Sequence, residues 1–380
     1  MHVEHLSSSS CNLKNTLKEL GVDGGGVSIL SDKGQLHLIA IKNLHVGAAN
    51  ILKQDALSIG ADLAVPKGTV TASTPFVDAL LIANERQLKE LVQKEKAQPF
   101  GLKSVAQELA RFCALHFPQK VEVMGIINAN DDSFYPLSRF QASSAVEKIQ
   151  EMIVDGADII DIGGVSSRPG SMGVSAQEEL SRVKPIIDLL YHEKTYEKIR
   201  LSLDSYAPSV IAYALERGFH IINDITGLAN DEVARLCASY NATAVIMHAQ
   251  GSPDEMQNNP HYTSVLHEVE NFFLQRLEKA DKFGISDVIL DCGIGFGKRT
   301  EDNLALIRHQ KHFLAFGKPL LVGASRKSMI DTVSSANSEN RLGGTLAIHL
   351  KAIEEGASII RVHDVKEHVQ AITLWQALRG

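Results

Sequence analysis

Four polar side chains in the second half of the chain, Asp204, Asn223, Asp291 and Lys327, offer two carboxylates, an amide and an ammonium. Such a set can pair with the edge of a flat heterocycle that presents an amino group, an amide and ring nitrogens, since each edge atom is a donor or acceptor of fixed direction. A second set, Asn128, Arg361 and His363, with Ser167 and Arg168 available from a loop, brings cations, donors and an amide oxygen. These suit a diphosphate and a Mg²⁺ ion, which prefers oxygen ligands and usually keeps several waters. Taken singly, each residue has an ordinary role: Asp and Asn cap helices, Arg361 pairs with a carboxylate, and His248 hydrogen-bonds inside a core.

What raises them above that is position. Short apolar runs fall at Val121–Ile127, Asp158–Ile162, Ile199–Leu203, His220–Ile225, Thr243–Met247, Asp287–Leu290, Pro319–Val322 and Ser358–Val362. Helical spacing follows at Ser143–Asp155, Ser175–His192, Pro208–Arg217, Asp231–Ser239, Tyr262–Phe283, Glu301–His309, Leu342–Glu355 and Lys366–Leu378. Strand and helix alternating in this way over about 260 residues predict a (β/α)8 barrel. A doubly wound open sheet is the rival, but its first turn should read Gly-x-Gly-x-x-Gly, and here it reads Asn128-Ala-Asn-Asp-Asp-Ser-Phe134.

In a barrel the catalytic groups sit at the C-terminal ends of the strands. The predicted strands end in, or run into, Asn128, Gly163 to Gly170, Asp204, Asn223-Asp224, Met247-His248, Asp291, Ser325 to Ser328, and Arg361 to Asp364. Polar groups converging on one mouth cost desolvation unless a ligand or a network satisfies them. The segment Asp287 to Lys298 shows the design most plainly: an apolar run delivers Asp291, then Gly293, Gly295 and Gly297 let the backbone approach a ligand. The plainer alternative is a turn in which Asp291 caps a helix near Thr300.

Composition bounds the rest. The 380 residues suit two domains, and 44% hydrophobic with 22% charged residues is ordinary for a globular chain. A net charge of -7 argues against generic nucleic-acid binding, and no apolar stretch approaches a membrane span. Cys11, Cys113, Cys237 and Cys292 form no Cys-x-x-Cys pair, and the start, Met1 to Ser10, lacks a basic segment followed by an apolar one. A cytoplasmic protein with reduced thiols is the expectation. Residues 1–115 are predicted to form an α+β amino-terminal domain and 116–380 the barrel. In the first, Gln35–Lys42 alternates like a strand, Val46–Ile59 has helical spacing, Phe76–Ile82 is an apolar strand, and Glu85–Lys96 and Ser104–Leu115 are helical. Gly24-Gly25-Gly26 is expected as a flexible turn, since no Lys-Ser/Thr pair follows to make a phosphate cradle.

From Val123 to about Leu374 the chain resembles the dihydropteroate synthase family of pterin-binding barrels. The likeness rests on Met124-Gly-Ile-Ile-Asn128 with Asp132-Ser-Phe134, Asp158-Ile-Ile-Asp-Ile-Gly-Gly164 with Ser166-Ser-Arg-Pro-Gly170, Asp204-Ser-Tyr206 and Ile222-Asn-Asp-Ile225. It continues through Asp291-Cys-Gly-Ile-Gly-Phe-Gly-Lys298, Gly323-Ala-Ser-Arg-Lys-Ser328 and Arg361-Val-His-Asp364, all in the family's order. The resemblance implies condensation of 6-hydroxymethyl-7,8-dihydropterin diphosphate with 4-aminobenzoate, aided by Mg²⁺, in a homodimer open to sulfonamide-type competitors.

It implies a pterin site of Asp204, Asn223, Met247, Asp291, Phe296, Lys327 and Arg361. Diphosphate contacts would come from Asn128, Ser167, Arg361 and His363, and Asn128 would also touch the metal. Loops around Asp132, Phe134, Ser167, Arg168 and Pro169, with Ser328, would shape the aminobenzoate pocket. The catalytic set would be Lys327, Asp204, Arg361 and His363.

Two loops depart from the family pattern. Asn130-Asp131 replaces Thr-Pro, and Val165 and Ser167 stand where Glu and Thr are usual, which bears on loop closure more than on the reaction. Two rival functions share parts of the pattern: a corrinoid methyltransferase barrel, and a non-catalytic pterin-binding scaffold. The former is not expected to keep Ser325-Arg-Lys327 together with Arg361-Val-His363. The latter has no use for a complete anion-handling set.

Overall fold

The computed structural model describes residues 13–113, 115–129, 139–165, 174–251, 256 and 259–378. The described residues fall into two compact units, one within Met1–His116 and Gln376–Gly380 and the other within Phe117–Trp375.

In the first unit, β1 (Leu36–His45), β2 (Asp62–Ala64) and β3 (Phe76–Asn84) form an antiparallel sheet in the order β1-β3-β2. Period-two alternation explains why it forms: along β3, Val77, Ala79, Leu81 and Ala83 face inward while Phe76, Asp78 and Leu80 face out. The inner face meets Leu52 and Ala56 of the helix Val46–Ser58, Leu88 and Leu91 of Glu85–Glu95, and Leu102 and Leu109 of Leu102–Ala110. Asn84 and Gln87 exchange side-chain and backbone bonds in a capping box that starts the second of these helices. The expected turn at Gly24 is instead the first turn of a helix, Gly24–Gly34. Asp23 explains the difference: its Oδ1 accepts from Gly26 N at 2.9 Å, and a side-chain cap can start a helix on glycines of poor intrinsic propensity.

The second unit is a closed barrel of eight parallel strands. They are β4 (Glu122–Asn128), β5 (Ile159–Gly163), β6 (Arg200–Asp204), β7 (Ile221–Asp224), β8 (Thr243–Met247), β9 (Val288–Asp291), β10 (Leu320–Val322) and β11 (Ile359–Val362), with β11 closing onto β4. This is the TIM barrel predicted from the periodicity. Met124, Ile159, Ile221, Val245, Ile289, Leu321 and Ile359 fill its interior with branched and flexible apolar side chains, one from each of seven strands. Below the mouth the lumen is therefore a packed core, which leaves only the strand ends available to a ligand.

Leu81 lies on the central strand of the small sheet and is fully buried. Leu81→Ala should cost about 2–5 kcal/mol of the first unit's stability. Hydrogen exchange should then speed up across β1 to β3 and leave the barrel strands protected; unchanged exchange would show that this core does not stabilise the unit.

Candidate active site

The C-terminal rim of the barrel receives the predicted residues one strand at a time. Asn128 ends β4, Asp204 ends β6, Met247 ends β8 and Asp291 ends β9, while Asn223 lies near the end of β7 and Arg361 near the end of β11. In the sheet register Asp204 is paired with Asn223, and Met247 with Asp291, so each pair lies level on the same side of the sheet. Lys327 immediately precedes the short helix Ser328–Val333, and His363 follows β11. Asp132, Phe134, Ser167, Arg168 and Pro169 lie outside the described residues, as do the departures at Asn130, Asp131 and Ser167.

Asp161, in the middle of β5, holds the centre of the site although the motifs left it without a role. Its Oδ2 accepts from Arg361 Nε at 2.6 Å and from Asn223 Nδ2 at 3.1 Å, and its Oδ1 accepts from Ser202 Oγ at 2.6 Å. Arg361 Nη2 donates in turn to Asp204 Oδ2 at 2.6 Å. One guanidinium from β11 thus reaches across the interior to carboxylates on β5 and β6. A signal was present in the sequence: a charged residue inside the apolar run Ile159-Ile-Asp-Ile162 must find a partner when buried.

Two carboxylates share that single cation. Burial pushes the Asp204 carboxyl up to about 7 against the pull of Arg361, with Asp161 and Glu179 adding to the rise and Lys327 opposing it. Burial likewise raises Asp291, whose Oδ1 accepts from Gly293 N at 2.7 Å. The Oδ1 atom of Asn223 is buried with no hydrogen-bond partner among the described residues. An unpaired buried acceptor costs on the order of 1–3 kcal/mol, so this atom calls for a donor from a ligand.

The loop after β9 forms the next wall. Gly293 and Gly297 adopt φ of +64° and +59°, a left-handed region disfavoured for residues with a Cβ. A Cβ at Gly293 would stand 2.0 Å from the His248 carbonyl oxygen, so no side chain fits there. Lys298, also left without a role by the motifs, binds the loop from within. Its Nζ donates to the carbonyls of His248, Gly293 and Phe296, each at 3.0 Å, while burial pulls its ammonium down to about 7. Tyr262 Oη donates to Gly297 O at 2.7 Å, and Asn303 Oδ1 accepts from Gly295 N at 2.8 Å. Asp291 therefore does not cap the helix Thr300–Arg308; its carboxylate is spent on the glycine turn, and Asp302 pairs with Arg299 at the helix start.

So pinned, the loop sets Phe296 beside Ile225, Met247 and Met256 as an apolar patch, with Tyr206 packed against it. The Lys327 ammonium lies 4.0 Å from the Phe296 ring centroid, on the side where Asp204 and Asp291 also feel its charge. Ser325 Oγ and His363 Nδ1 stand 2.9 Å apart, bringing the loops after β10 and β11 together at the rim. An apolar surface with acidic, amide and cationic groups at its edge can hold a flat nitrogen-rich ring and keep an anion nearby.

For a metal the donors are sparse: among the described residues no cluster of three His, Cys, Asp or Glu could hold one. The amide oxygen of Asn128 at the end of β4 suits a Mg²⁺ that keeps most of its waters and arrives with a diphosphate.

Fold and site together define a (β/α)8-barrel enzyme of the class that binds pterin-like rings. The model of the pterin binding enzyme family matches residues 124–363. A Helicobacter pylori protein named bifunctional dihydropteroate synthase/dihydropteroate reductase is 40% identical over 96% of each chain. The Escherichia coli K12 dihydropteroate synthase is 40% identical over 67% of this chain and 90% of its own. The crystal structure of the Yersinia pestis dihydropteroate synthase with a sulfonamide drug complex superposes with a TM-score of 0.64 at 38% identity, covering 68% of this chain and 94% of that one. The chain belongs to the dihydropteroate synthase family of pterin-binding enzymes.

Two outcomes test this geometry. Gly293→Ala should lose pterin binding in calorimetric titration and cost about 1–3 kcal/mol of stability through backbone strain; wild-type affinity would refute the tight turn. Ionised, Asp204 offers a donor-rich ligand edge two oxygens that only accept, whereas protonation turns one of them into a donor, and its carboxyl is raised to about 7. Affinity for a pterin lacking the diphosphate should therefore be highest above that pH and fall below it, by at most about tenfold per unit. Asp204→Asn should flatten the dependence, and a flat wild-type profile would contradict the assignment.

Proposed function

We propose that the barrel condenses 6-hydroxymethyl-7,8-dihydropterin diphosphate with 4-aminobenzoate to give 7,8-dihydropteroate and diphosphate. The observation that carries this reading is the Asn223 Oδ1 acceptor, buried without a partner among the described residues, on the strand next to Asp204. A pterin edge supplies the donors that this acceptor and the neighbouring carboxylates require. Phe296 and Met247 cover the ring, and Lys327 and Arg361 face its acceptors.

In the reaction the C–O bond to the diphosphate breaks and its electron pair leaves with the anion. The methylene cation so formed is delocalised into the dihydropterin ring. The aryl amine then forms the C–N bond and gives up a proton to solvent or to the released diphosphate. No protein nucleophile takes part. The chain's own contribution is to hold the ring, exclude water from the cation and favour the departing charge with Lys327, Arg361 and His363. A Mg²⁺ near Asn128 would neutralise charge on the diphosphate.

Sulfonamides are proposed to compete with 4-aminobenzoate here, supported by the Yersinia pestis complex. The working form is proposed to be a cytoplasmic homodimer, with the helices Leu342–Glu354 and Val365–Ala377 supplying the contact face. Among the described residues no helix is long and apolar enough to cross a membrane.

A second activity has one observation in its favour. The Helicobacter pylori relative named as a bifunctional synthase and reductase aligns over 96% of this chain, a span that takes in most of the first unit as well as the barrel. On this reading the chain also reduces the C6–N5 double bond of dihydropteroate, hydride going to C6 from a reduced nicotinamide or flavin and a proton to N5. Oxidation of either reductant that depends on dihydropteroate would support it, and none with both would remove it.

Incubating the protein with dihydropterin diphosphate, Mg²⁺ and labelled 4-aminobenzoate should give labelled dihydropteroate. Lys327→Ala should lower turnover by at least about a hundredfold with the fold intact, since it removes a cation preorganised toward the developing charge. Near-normal turnover would remove the pocket assignment, and full rates in chelator would remove the metal.

A further inference from the structure

Behind the rim lie two histidines that the reaction does not touch. His349, on the helix Leu342–Glu354, and His368, on Val365–Ala377, are each 1% exposed, and His349 Nδ1 lies 2.9 Å from His368 Nε2. Their protons are dictated by what stands at either end. The backbone N–H of Ala324 can only donate, and it points at His349 Nε2 at 3.1 Å, so that nitrogen carries no proton. The proton of the neutral ring is therefore on Nδ1 and is given to His368 Nε2. His368 in turn carries its proton on Nδ1, 2.6 Å from the Asp364 carbonyl oxygen. A second proton on either ring would set one N–H against another, and burial holds both rings below the ordinary histidine range.

The two ends of this relay are the loops that carry the site. Ala324 follows β10 and lies three residues before Lys327; Asp364 follows β11 and adjoins His363. The same loops are tied again by Arg326, whose Nε and Nη2 donate to the Asp364 carboxylate at 3.0 and 2.6 Å. Arg326 has φ of +56°, an uncommon conformation for a residue with a Cβ, and Thr345 Oγ1 accepts from its backbone N at 3.0 Å. Thr345 is one helical turn before His349, so a single helix face grips the Lys327 loop twice.

We infer that His349 and His368 are positioning residues for the condensation, a proton-ordered strut that sets the Lys327 loop against the loop of Arg361 and His363. The inference rests on the reading of Lys327 and His363 as substrate-facing. Its structural half stands apart from that reading and has its own test.

In the full-length wild-type protein labelled with ¹⁵N-histidine, long-range couplings should show two rings fixed as the neutral Nδ1–H tautomer at neutral pH. An Nε2–H tautomer on either ring overturns the strut. His349→Leu removes both the acceptor and the donor, and His349→Gln keeps one of each. With the fold intact by circular dichroism, His349→Leu should lower kcat/KM for the dihydropterin diphosphate about tenfold or more, mainly through kcat, and His349→Gln should recover part of it. Unchanged kinetics in His349→Leu beside an active wild type overturns the positioning role. An inactive wild type overturns the condensation instead. Should His349→Leu not fold, the tautomers of the wild type decide the strut alone.

Discussion

The guanidinium of Arg361 lies between the carboxylates of Asp161 and Asp204, and the chemistry of the barrel mouth follows from that placement. Taking three charges out of water is costly, and the arrangement survives because the planar fork meets both acceptors at 2.6 Å while Ser202 and Asn223 satisfy Asp161 further. Such a network is a weak source of stability and a strong source of geometry. It ties β11 to β5 and β6 across the interior, and it engages the Asn223 amide through Nδ2 while its Oδ1 is left without a partner among the described residues. Two carboxylates and the unpartnered Asn223 Oδ1 give this side of the mouth acceptors that suit a ligand edge rich in donors.

The opposite wall is built on another principle. Around Gly293 and Gly297 the backbone packs too closely to admit a Cβ, and the buried Lys298 ammonium gathers three carbonyls that point inward. A lysine in this position costs desolvation, recovered through charge-assisted bonds to groups that would otherwise be unpaired. The effect is a rigid loop that holds Phe296 under Lys327. Charge on one side and backbone packing on the other fix a slot for a flat ring, while the apolar barrel interior prevents anything from sinking below it.

The barrel was legible because its strands and helices repeat with distinct periods and because polar residues recur at each strand end. Asp204, Asn223, Asp291 and Lys327 could be placed by that rule alone. The first unit was legible in two of its three strands and in its longer helices for the same reason, but not at the three-residue β2 or at Gly24. There, local composition suggests a turn, and one capping carboxylate from Asp23 decides for helix. Asp161 and Lys298 were visible as residues but not as participants, since both lie within motifs whose neighbours drew the assignment.

By itself, then, the sequence determined the alternation that closes a parallel barrel, and which residue types crowd its rim, since both depend on patterns local to the chain. The tertiary structure alone decided who pairs with whom. Arg361 and Asp161 are separated by 200 positions, and Ala324, His349, His368 and Asp364 become one line of hydrogen bonds only when two helices pack behind β10 and β11. No periodicity encodes such a line: a hydrogen bond depends on direction and on a few tenths of an ångström, and those are fixed only once the barrel has closed.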